Sequence, residues 1–173
     1  IEMGDTSIRL KPPPVDAEAA DEILGQVGAG DRRLIGLFLG AGHPSRRWPI
    51  ENFAELAGRL SDDEQNKVLV FAGPEERDLR PGLKERFGDT ATVVDELPLI
   101  TFFAMLSRLR VFISGDTGPM HLAALAGAGI VLISQAGAPD IFLPLTERRE
   151  VLNQRAIKDL SVDEVMAAVN RSF

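Results

Sequence analysis

Cysteine is absent from the 173 residues. That removes disulfides, thiol nucleophiles and thiolate metal sites, and it fits a reducing compartment. No apolar run approaches the roughly 20 residues that a membrane-spanning helix needs, and the opening residues carry no secretory leader. Positive charge is not in excess either: 26 acidic residues face 19 basic ones, a formal net charge of −7. Affinity for a phosphate backbone comes from Lys and Arg, so nucleic-acid binding is not expected as the main activity. A small anion held at one locally basic place is compatible with this balance. The G-x-G-x-x-G, Walker A, G-x-S-x-G and histidine-rich metal patterns are missing, as are repeats and low-complexity segments. The chain starts at Ile1 rather than Met, and we expect a piece of a longer product.

What is present describes one globular domain: 45% hydrophobic and 26% charged residues, enough apolar material for a core. Lys11-Pro12-Pro13-Pro14 reads as a stiff linker, followed by a helix over Asp16 to Val27. Apolar runs at 34–39, 67–71, 92–94, 111–114 and 130–134 read as buried strands. Between them lie helical stripes: Phe53, Leu56, Ala57 and Leu60; Glu75 to Phe87; Leu99, Phe102, Phe103 and Leu106; Pro119 to Ala126. Phe102 and Phe103 are expected in the core. A last helix runs from Ser161 to Val169, with Asp163 and Glu164 suited to its first turn. Alternating strands and helices imply parallel βαβ units, hence an α/β, Rossmann-like, doubly wound parallel sheet with helices on both faces.

Small residues follow four of these strands: Gly40-Ala41-Gly42, Ala72-Gly73-Pro74, Gly115-Asp116-Thr117-Gly118 and Gln135-Ala136-Gly137-Ala138. In a parallel sheet these ends share the edge where open α/β folds bind ligands. The third is the most informative. A helix starting at Gly118-Pro119 directs its positive end and unpaired N–H groups at one spot, suited to an anion. Asp116 there could contact hydroxyls and Thr117 phosphate, or Asp116 could simply cap the helix. His121, a turn further on, could face the same spot or sit satisfied in the core; it has no partner at metal-ligand spacing. Arg46 and Arg47 follow the first glycine loop and suit a diphosphate, although loop charges can be merely solvated; Trp48 reads as a hydrophobic anchor. Glu75 and Glu76 could bind ribose hydroxyls or merely complement a helix dipole. Leu97 could supply apolar surface beside a base.

Taken in order, Gly40-Ala41 through Arg46-x-Trp48-Pro49, then Phe71-Ala72-Gly73-Pro74-x-Glu76, then Gly115-Asp116-Thr117-Gly118-Pro119-x-His121, resemble family 9 glycosyltransferases, the ADP-heptose:lipopolysaccharide heptosyltransferases. The resemblance spans residues 30 to 170. It implies the C-terminal, donor-binding half of a GT-B enzyme: residues 1–30 as linker and leading helix, 31–173 as nucleotide-sugar domain, with an N-terminal acceptor domain absent. It further implies an inverting transferase that moves heptose from ADP-heptose to a lipopolysaccharide inner-core acceptor. Arg46 stands where the family has Lys in a phosphate contact. Asp116 matches a sugar contact, Thr117 and Gly118 the phosphate turn, His121 the neighbouring histidine, Glu76 or Glu75 a ribose contact, and Leu97 an adenine neighbour. The resemblance places the catalytic base in the missing domain, so no catalytic residue, metal or cofactor is expected here beyond the nucleotide-sugar donor. The expected location is cytoplasmic, peripheral at the inner face of the inner membrane, and the isolated piece is expected to be inactive. The alternatives are a GT-B enzyme using another nucleotide sugar and a non-catalytic nucleotide-binding module.

Overall fold

A computed structural model of the chain describes residues 8–41, 43–135, 143–154 and 156–172. Helix α1 (Pro14–Gln26) opens with proline in its first turn, where the missing N–H costs nothing. Strand β1 (Arg33–Phe38), helix α2 (Ile50–Ser61) and strand β2 (Asn66–Ala72) follow. Next come α3 (Leu83–Phe87), β3 (Thr92–Asp95), α4 (Leu99–Leu106) and β4 (Val111–Gly115). Helix α5 (Gly118–Ala126), β5 (Gly129–Gln135), β6 (Arg149–Gln154) and α6 (Val162–Arg171) complete the order.

The six strands lie in the order β3-β2-β1-β4-β5-β6, and every neighbouring pair is parallel. Connectivity runs outward from β1 to one edge and resumes at β4 toward the other, so the order reverses between β1 and β4. A reversal leaves a crevice at the carboxyl ends of those strands. Helices cover both faces. On one, Phe53, Leu56, Phe87 and Val165 pack on Ile35, Leu37 and Val70. On the other, Leu24, Ala104, Leu106 and Met120 pack on Phe38, Leu69 and Phe112. Central strands with a helix layer on each side bury both sets of side chains, which is why they read as unbroken apolar runs.

Two parts of the sequence reading change. The expected helix over 75–87 breaks into a 3-10 turn, Pro74–Glu76, and the five-residue α3. Arg80-Pro81-Gly82 is the cause: proline cannot continue the hydrogen-bond ladder, and Gly82 takes φ +80° just before α3. Strand β6 was not expected. It is an edge strand, exposed to half-buried along its length, so its Arg-Glu-Val-Leu-Asn-Gln sequence carries too little apolar character to announce itself.

Candidate functional site

At the reversal, the loops after β1 and β4 touch. A Cβ on Gly115 would lie 3.6 Å from the Gly40 carbonyl and 3.9 Å from the Ala41 Cβ. Beside this contact opens a hollow of about 1020 Å³. Of the residues singled out in the sequence, it brings together Ala41, Arg46, Glu76, Leu97, Asp116, Thr117, Gly118, Pro119 and His121. Gly40 lies buried beneath its floor. The side chain of Glu75 is outside the described residues, as are positions 136–142, so only the first small residue of the loop after β5 is placed.

Arg46 is positioned by its neighbours. His43 Nδ1 accepts from the Ser45 N–H at 3.2 Å and opens a 3-10 turn over Pro44–Arg46. Arg47 turns away from the hollow, and its Nη1 donates to Asp78 Oδ2 at 2.7 Å. That bond holds the Asp78 carboxyl below its ordinary value. Trp48 is buried, stands edge-on to Phe53 at 4.9 Å, and donates from Nε1 to the Leu160 carbonyl at 2.9 Å. With one neighbour ion-paired and the next locked into the core, the exposed Arg46 guanidinium is left facing the hollow, bonded to no described side chain.

On the opposite wall, α5 begins without a side-chain cap. Thr117 Oγ1 lies 3.1 Å from Ser114 Oγ and donates to the Gly115 carbonyl at 3.4 Å, so it does not cap the helix. Pro119 follows with no N–H at all. The first helical amides and the positive end of the dipole therefore border the hollow, with the Asp116 carboxylate beside them.

Glu76 is a buried carboxylate, 3% exposed. Its Oε2 accepts from the Gly73 N–H at 2.9 Å. A Cβ on Gly40 would fall 2.3 Å from Oε1, and one on Gly73 2.7 Å from Oε2. Two glycines thus make room for one carboxylate, which ties the β1 and β2 loops together.

The remaining wall escaped the sequence reading. Phe38, Phe71, Val94, Phe102 and Leu122 line the hollow, with Phe71 edge-on to Phe102 at 5.3 Å. Phe103 is buried as expected, but Phe102 is half-buried and faces the hollow. Arg80, Asp95 and Glu96 stand at the end of β3, with Arg80 Nη1 donating to Glu96 Oε1 at 2.6 Å. Glu96 has φ +58°, a left-handed conformation rare for a side chain of this type. The Arg80-Pro81-Gly82 break was the one signal that this segment departs from a helix. The arrangement joins an aromatic and aliphatic floor to two polar ends, one of them carrying a guanidinium and helix amides. Such a site fits a planar ring joined to an anionic group. Among the described residues, no group of three His, Asp or Glu side chains could hold a metal ion.

The profile of glycosyltransferase family 9 (heptosyltransferase) matches residues 6–165. Lipopolysaccharide heptosyltransferase 2 of Escherichia coli is 25% identical over 130 residues, covering 72% of this chain and 37% of that protein. A family 9 glycosyltransferase structure from Veillonella parvula superposes with TM-score 0.89 at 21% identity, covering 99% of this chain and 55% of that one. The structure of E. coli heptosyltransferase WaaC with ADP superposes at 0.70 and 20% identity, covering 89% and 48%. The chain therefore spans about a third of its curated relative and half of its structural ones.

Proposed function

This chain belongs to glycosyltransferase family 9, and from that premise we propose that it is the donor-binding half of an inverting transferase. The donor is ADP-heptose and the acceptor a lipopolysaccharide inner-core sugar. The observation that carries the reading is the convergence of Arg46, Asp116 and the uncapped start of α5 on one hollow. The ADP bound by WaaC supports the choice of nucleotide. The apolar floor of Phe71, Val94, Phe102 and Leu97 takes the base, the β4–α5 turn and Arg46 take the diphosphate, and Asp116 takes hydroxyls of the sugar.

In transfer, an acceptor hydroxyl attacks the anomeric carbon as the bond to the diphosphate breaks. The hydroxyl proton passes to a base on the acceptor half, and negative charge grows on the departing phosphate. The Arg46 guanidinium and the α5 amides are already oriented toward that charge, so they stabilise the transition state without reorganising. No helix among the described residues is long and apolar enough to cross a membrane; we place the enzyme in the cytoplasm, at the inner face of the membrane that holds its acceptor.

Arg46, standing where the family has Lys, favours one second reading: a different nucleotide sugar, because a planar fork grips a diphosphate differently from an ammonium. Calorimetric titration with ADP, UDP and NAD separates the readings. ADP preference supports the heptosyltransferase, UDP preference the second reading, and binding of NAD alone or of no nucleotide overturns both. Arg46→Ala and Asp116→Ala are each expected to weaken ADP by about tenfold to a hundredfold, as loss of a charge-assisted bond does. Unchanged affinity in both would remove the site.

A further inference from the structure

We propose that the edge of the sheet opposite the hollow is a docking surface for an anionic phospholipid bilayer, built from Arg9, Arg110 and Arg148. Arg110 directly precedes β4, Gly129 opens β5 and Arg148 directly precedes β6, so all three mark the amino ends of strands. The segment carrying Arg9 is held there by the Leu10 N–H, which donates to the Leu125 carbonyl in the last turn of α5 at 2.8 Å.

Two glycines seat the guanidinium groups. A Cβ on Gly127 would lie 3.3 Å from Arg9 Cδ and Nε, and one on Gly129 3.6 Å from Arg148 Nη2. Arg148 Nη1 also donates to the Gly127 carbonyl at 3.0 Å, so Arg9 and Arg148 share one turn. Elsewhere the chain pairs its arginines with carboxylates: Arg33, Arg47, Arg59, Arg80, Arg86, Arg108 and Arg171 each meet an Asp or Glu. Arg9 and Arg148 enter no ion pair among the described residues. Burial and the nearby Arg110 and Arg9 hold the Arg148 guanidinium below its ordinary pKa, as like charges gathered without an anion do.

Aliphatic side chains flank this cluster. Ile8 and Leu10, on either side of Arg9, are 57% and 51% exposed, and Leu145, shortly before Arg148, is 61% exposed. Guanidinium groups interleaved with exposed aliphatic residues match a phospholipid surface, which offers phosphate above and hydrocarbon beneath. A nucleic acid would call for aromatic stacking, and every exposed large hydrophobic among the described residues is Ile, Leu or Val. In a chain of net charge −7, only such a local concentration can bring an anionic membrane close.

The test is sedimentation of the full chain with vesicles of phosphatidylcholine alone and of phosphatidylcholine mixed with phosphatidylglycerol. Binding is expected only to the mixed vesicles, and salt should release it. Each arginine removed should lower partition about fivefold, so Arg9→Ala with Arg148→Ala should cost about twenty-five-fold. Arg9→Ala alone, which removes no side-chain hydrogen bond, shows the effect if the double variant misfolds. Arg59→Ala with Arg86→Ala makes the same charge change on ion-paired arginines and should leave partition unaltered. Equal binding to both vesicles, binding to neither, equal loss in the control pair, or binding to an RNA oligomer without vesicle binding would each overturn the proposal. ADP affinity should be untouched in all these variants, which keeps this result separate from the identity of the donor.

Discussion

A methyl group at position 40 would sit 2.3 Å from Glu76 Oε1 and 2.5 Å from Phe38 Cε1. Neither neighbour can retreat: Glu76 is fixed by the Gly73 amide, and Phe38 is buried against Phe112. Gly40→Ala should therefore destabilise the fold by about 1–3 kcal/mol, the usual cost of overpacking, and weaken ADP by displacing the loop beneath Arg46. Denaturant unfolding and calorimetry measure the two effects, and a variant with normal stability would show that the carboxylate is not confined. Glycine was legible at this position as loop chemistry, but its carboxylate neighbour was not, because glycines at 40 and 73 look like turn residues until Glu76 is seen between them. Arg46 was legible for the opposite reason: the adjacent Arg47-Trp48-Pro49 fixes its direction. Arg80 and Glu96 were not, since their pairing spans 16 positions and depends on a left-handed backbone at Glu96.

At the scale of elements, strands read clearly and helix ends less so. Buried parallel strands announce themselves as apolar runs, whereas the edge strand β6 lacks the second buried face that makes such a run. The last helix was legible through its start. Ser161 Oγ accepts from the Glu164 N–H at 3.3 Å, and the Glu164 carboxylate accepts from the Ser161 N–H at 2.9 Å, a reciprocal cap. Ser161→Ala should cost about 1 kcal/mol at neutral pH. Bonds from the Ser161 N–H and hydroxyl hold the Glu164 carboxyl below its ordinary value of 4.5. A carboxyl lowered on folding contributes stability that is present above pH 4.5 and lost as pH falls through the folded value. The deficit of Ser161→Ala should therefore shrink in acid. Melting curves of both proteins across that range check it, and a deficit unchanged by pH would show that the carboxylate takes no part in the cap.

For the whole molecule, the reversal between β1 and β4 divides the sheet into two halves, and the hollow is walled by loops of both. Arg46, Glu76 and Leu97 come from the β1–β3 half, while Asp116, Thr117 and His121 follow β4. A nucleotide seated across them would cross-brace halves otherwise joined by the β1–β4 pairing, which covers only Ile35 to Leu37. Ligand that binds the folded chain alone adds about 2.7 kcal/mol at a hundred times its Kd. For a chain of this size each kcal/mol raises the melting temperature by about 2–4 °C, so saturating ADP should raise it by about 5–11 °C. Bracing requires contacts on both sides, so Arg46→Ala from one half and Asp116→Ala from the other should each reduce the rise at fixed ADP. A rise lost in only one of the two variants would place the nucleotide on a single half of the sheet, and no rise with ADP at any concentration would remove it from the crevice.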